Sequence, residues 1–145
     1  MDWLSIVSGA FIGTTCMTAF SYVYSWLRQK PFKEPALLND LMAQLGVLKS
    51  QPSENNILGW VIHYGVGVLF LISYHFVWQI VHVIPEAWHY TIAGAVSGIV
   101  GIAIWSMVFN HYLILKPEER SEYFFQLEIA HIIFGVTSYL VESIF

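Results

Sequence analysis

Residues 123–144 read YFFQLEIAHIIFGVTSYLVESI, and their reading decides the class of the whole chain. The run is long enough to cross a hydrocarbon core, which takes about 20 apolar residues. It nevertheless carries Glu128 and His131 inside it. Three positions apart, those two share one face of a helix, and Gly135, Ser138 and Glu142 extend that face. Ionisable residues are costly in hydrocarbon, so such a pair marks a candidate functional site.

Three further stretches match this one in length: residues 3–27, 57–83 and 88–113. The chain of 145 residues is 57% hydrophobic and 11% charged, against about 25% charged in a soluble domain. Aromatic residues flank the runs, among them Trp3, Trp26, Trp60, Trp88, Tyr112 and Tyr123, as in an interfacial belt. With no water to satisfy the backbone, each span must be helical. The expectation is a single all-α domain in the lipid bilayer, with four transmembrane helices. The balance of charge is slightly acidic, which argues against nucleic acid as a partner. Cys16 is the one cysteine, so no internal disulfide can form.

All six lysines and arginines fall in two connections. Arg28, Lys30, Lys33 and Lys49 lie between the first two spans, and Lys116 and Arg120 between the last two. The positive-inside rule puts both connections in the cytoplasm and both termini outside, in a bacterial-type inner (plasma) membrane. The first connection has structure of its own. Leu37, Leu38, Leu41, Met42 and Leu45 recur at helical spacing over residues 35–46, with Asn39, Asp40 and Gln44 opposite and Gly46 as the stop. This short amphipathic helix either lies on the inner leaflet or caps the bundle. Ser53 or Asn56 is expected to cap the second span, and Pro117 with two glutamates to start the fourth.

The two halves of the chain resemble each other. SGAFIG at residues 8–13 aligns with AGAVSG at 93–98, and HYGVGV at 63–68 aligns with HIIFGV at 131–136. Two parallel-repeat hairpins follow, related by an axis along the membrane normal. Gly9, Gly13, Gly94 and Gly98 would pack helices closely, and Gly67 and Gly135 close the paired His-x-x-x-Gly-Val segments. On those same motifs, the chain resembles several small uncharacterised bacterial four-helix inner-membrane families. The resemblance implies the architecture and no reaction.

His63, Asn110, His111, Glu128 and His131 form the expected polar intramembrane site. Three readings stay open. The residues could hold helix register by hydrogen bonding. They could relay protons or line a path for a small solute or ion. His63, Glu128 and His131 could instead hold one metal ion, with haem a further, less favoured cofactor. His75, His82, Glu86 and His89 form a second, outer group. No nucleophile motif, phosphate loop or cysteine pair supports an enzyme. The favoured function is transport or permeation of a small solute, ion or proton. The alternative is an accessory subunit that assembles with other membrane proteins or as a homodimer.

Overall fold

Hydropathy and end chemistry together account for the five helices seen in the computed structural model, which describes residues 3–48 and 56–145. They are α1 (Trp3–Arg28), α2 (Glu34–Gln44), α3 (Ile57–Val81), α4 (Ala87–His111) and α5 (Arg120–Glu142). A single 3-10 turn, Pro117–Glu119, leads into α5. Four of these helices are long and apolar enough to cross a membrane, so the chain is a multi-pass membrane protein. Lys49 and Ser53 lie outside the described residues.

The ends are set by local hydrogen bonding. Asn56 caps α3, its side-chain oxygen accepting from the Leu58 amide at 3.0 Å. Glu86 and His89 form a reciprocal capping box at the start of α4. Gly46 adopts φ +72° after α2, and the amides of Gly46 and Val47 donate to Ala43 and Met42. This is the left-handed closure that favours glycine. Gln29 and His82 make the same turn after α1 and α3 without glycine, at φ 53° and 52°. That turn ends α3 at Val81 rather than at residue 83.

The spans run antiparallel, side by side in the order α3, α1, α5, α4. Small residues explain why α5 lies between α1 and α4. Gly9 of α1 lies against Glu142, and Gly13 lies against Ser138 and Phe134. On the other flank of α5, Gly94 packs on the His131 carbonyl, and Gly98 on Glu128. Gly135 abuts the Tyr90 carbonyl and the Cα of Gly94. A Cβ at Gly94 or Gly135 would run into a backbone carbonyl, and one at Gly98 into Glu128, so a side chain on this flank would force α4 and α5 apart.

The glycine pair of α1 therefore faces α5, while Gly67 of α3 meets Thr14. A repeat in strict register would place Gly67 against Gly9, as Gly135 lies against Gly94. The helices of the first hairpin are instead slid along each other relative to those of the second.

The described basic residues gather at one end of the bundle, hereafter the basic end. There Lys30 pairs with Glu119 at 2.9 Å, Arg28 pairs with Glu122, and Arg120 donates to the Phe109 carbonyl at 2.6 Å. The first and last helical residues lie at the other end. α2 seals the basic end: Pro35 and Leu37 are buried, and Phe32 just before it enters a core with Trp105, Phe109, Tyr123 and Leu127. Asn39 departs from the polar face expected for it and is fully buried. Its amide donates to the Asn56 carbonyl at 2.9 Å, and its oxygen accepts from the Gly59 amide at 2.8 Å. That second bond satisfies one of the free donors in the first turn of α3.

Candidate functional site

α3 and α4 are the two ends of the helix row, and they approach each other only toward the terminal end. There Tyr74 and Ser97 share a hydrogen bond of 2.7 Å, and the Trp78 and Tyr90 rings lie 4.3 Å apart. Toward the basic end the two helices part, leaving a cleft of about 150 Å³. His63, Val66, Gly67 and Phe70 of α3 form one wall, and Gly101, Ile104, Trp105 and Val108 of α4 form the other. Met17 of α1 and Leu127, His131 and Phe134 of α5 make the floor. Glu34, Leu38 and Leu41 close the basic end from α2. Val66 and Ile104 are 39% and 50% exposed, so the cleft opens sideways between α3 and α4.

Hydrogen bonding fixes the tautomer of both cleft histidines. Thr18 Oγ1 gives its one proton to the Thr14 carbonyl at 2.6 Å. It must then accept from His63 Nε2, 2.8 Å away. The neutral His63 ring is left with Nδ1 as its acceptor. His131 Nδ1 lies 2.8 Å from the Leu127 carbonyl, which can only accept, so Nδ1 carries the proton and Nε2 is the acceptor. Both rings thus bring a lone pair to a largely apolar cleft.

Glu34 is the third ionisable group of the cleft, and sequence reasoning missed it. Its side chain is buried at the first turn of α2. Oε1 accepts from Ser21 at 2.8 Å and from Gln126 at 3.0 Å. Oε2 is buried and has no hydrogen-bond partner, as are Gln126 Oε1 and Tyr123 OH. Burial pushes the Glu34 carboxyl up to about 7, although its hydrogen bonds from Gln126 and Ser21 favour the charged form. Among the described residues, no lysine or arginine pairs with it. A readable signal did exist nearby. Thr14, Thr18, Ser21 and Ser25 are buried at helical spacing on α1, a polar stripe that needs polar partners.

The other expected site residues are placed elsewhere. Glu128 packs on Gly98 at the α4 seam, with a buried Oε2 that has no partner, and it does not line the cleft. Asn110 and His111 are exposed at the end of α4, where Arg120 donates to Asn110 at 3.4 Å and His111 bonds to the Met107 carbonyl. Among the described residues, no three His, Cys, Asp or Glu side chains converge as a metal site would require. His63 and His131 thus come together without Glu128, and the expected three-ligand set does not assemble.

Of the outer group, only His75 enters the bundle. Its Nε2 lies 2.8 Å from Glu142 Oε2, which also accepts from Tyr90 at 2.6 Å. His89 belongs to the capping box, and His82 ends α3. Comparison of the chain with protein-family models, curated proteins and solved structures found no match in any of the three.

Proposed function

We propose that this is a small permease or exchanger of an inner (plasma) membrane, which passes a small solute or proton through the cleft between α3 and α4. His63, His131 and Glu34 are its working groups. One observation carries the reading: ionisable side chains from α2, α3 and α5 line a single cleft, covered by α2 at the basic end, closed by the α3–α4 contact at the other and open sideways between those two helices. Packing alone does not require that. A histidine serving only as interhelical glue needs one partner, yet here each neutral ring keeps a free acceptor in an apolar space. Ionisable groups within a membrane mark substrate and proton pathways.

Arg28, Lys30, Lys33, Lys116 and Arg120 fall at the end nearest α2. On the positive-inside rule this end is cytoplasmic and both termini are outside, so the cleft lies in the cytoplasmic half of the membrane, beneath α2. Reconstituted vesicles with a trapped pH dye test the proposal. Wild-type protein should dissipate an imposed pH gradient, and His131→Gln should lose at least ten-fold of that rate while melting normally. Glu128→Gln should keep the rate, since Glu128 is not in the cleft. Equal rates in empty and protein-containing vesicles, across a panel of small solutes, would sink the reading.

A further inference from the structure

The polar groups of the cleft share one chemical sense. His63 offers Nδ1, His131 offers Nε2, and Glu34 has a buried Oε2 with no partner. Both rings accept hydrogen bonds there, and Glu34 accepts as well once its proton has left. The space between them is apolar and aromatic, walled by Phe70, Trp105 and Phe134. From this we infer that the cleft takes an amphipathic organic cation, a protonated amine on a compact apolar body, with Glu34 as its counter-ion. The inference rests on the proposed exchange function and names its substrate class.

The chemistry excludes the other classes. An anion would meet Glu34 and the two ring lone pairs, with no lysine or arginine among the lining residues to balance its charge. A neutral apolar molecule would fill the space but leave Oε2 unpaired, and an unsatisfied buried polar atom is costly. An ammonium supplies three donors, a charge for Glu34, and a partner for the aromatic faces. Size narrows the body of the ligand: an apolar protein cavity of about 150 Å³ takes one benzene. The side opening between Val66 and Ile104 admits such a molecule from the bilayer.

Charge balance defines the exchange. With the cleft unliganded, Glu34 is mostly protonated below about pH 7, because burial disfavours its charge. When RNH3+ enters, that proton leaves to solution and the carboxylate pairs with the ammonium, so one cation replaces another. The groups facing Glu34 are Ser21 from α1 and Tyr123 and Gln126 from α5, while His63 and His131 line the same cleft. Lys33, the neighbouring residue, lies over the Tyr22 ring, 5.4 Å from its centroid. Binding should therefore weaken as pH falls through about 7.

Calorimetry on the full chain in detergent tests this with three isosteric probes: benzylammonium, benzyl alcohol and benzoate. The expected result is that benzylammonium binds wild type at least ten-fold tighter than either of the others. Its binding should release protons, more at pH 6 than at pH 8. Glu34→Gln should lose that preference by ten-fold or more and leave the alcohol unchanged. If Glu34→Gln fails to fold, the three probes on wild type still decide the matter. Equal affinity for amine and alcohol, no binding of the amine, or a preference that survives Glu34→Gln would overturn the inference. The two proposals fail separately. Vesicle flux without amine binding overturns the cation and leaves the exchanger, whereas amine binding without flux does the reverse.

Discussion

At the scale of single residues, Glu34 has the most to say. Two hydrogen bonds reach one of its oxygens and none reaches the other, so burial outweighs them and the proton is held to about 7. The ordinary value is 4.5, so the folded protein binds this proton more tightly than the unfolded chain does. The associated stability is fully present below about 4.5 and is lost as pH rises through about 7. Its size is about 3 kcal/mol, since one unit is worth about 1.4. Wild-type protein in detergent should therefore melt lower at pH 8 than at pH 5. Glu34→Gln should flatten that slope, as followed by far-UV circular dichroism. An unchanged slope in the variant would assign the dependence to another group.

Glu34 was hidden in the sequence for a physical reason. It stands in RQKPFKEP, which reads as a solvated basic turn, and its burial depends on Ser21 and Gln126, distant in the chain. Glu128 misleads in the opposite way. A three-residue step leaves it about 60° around α5 from His131. That angle is enough to turn one side chain to the α4 seam and the other to the cleft.

At the scale of elements, the spans are legible because an apolar run of this length has one stable solution in lipid. Their order in space is not. The glycine pairs predict close packing but not the partner, and both pairs converge on α5. The seams can be ranked by what each glycine meets. Gly135 meets a backbone carbonyl, which cannot move aside, whereas Gly65 faces open space on α3. Gly135→Ala should cost roughly 1–3 kcal/mol as an overpacked contact. Gly65→Ala should be neutral or add about 0.5–1 kcal/mol through helix propensity. Melting of both variants in one detergent checks the contrast. Equal loss in the two would mean that α4 and α5 are not held at this seam.

Helix α2 shows the limit of periodicity from the other side. Its leucines reveal an amphipathic helix, but the choice between lying on lipid and sealing the bundle rests on Asn39 and Pro35. Both are buried against the start of α3. The polar end of Asn39 completes a helix terminus 17 residues away in the chain, a role that no local pattern encodes.

At the scale of the whole molecule, the gathering of basic side chains at one end implies a single orientation. A reporter active only outside the cytoplasm should work when fused after Phe145 and fail when inserted near residue 53. A cytoplasm-only reporter active after Phe145 would reverse the membrane sidedness and put α2 and the cleft in the outer half of the membrane.

The central claim is that the cleft between α3 and α4 is where solute passes, and filling it is the most direct test. At Gly101 a Cβ would meet His131 and Leu127 at 3.4–3.5 Å, ordinary contact distances, so a larger side chain there extends into the cleft without prying helices apart. Vesicle flux of Gly101→Leu should be measured beside its melting temperature. The predicted result is a protein as stable as wild type whose flux has fallen at least ten-fold. Flux at the wild-type rate through a filled cleft would contradict the claim.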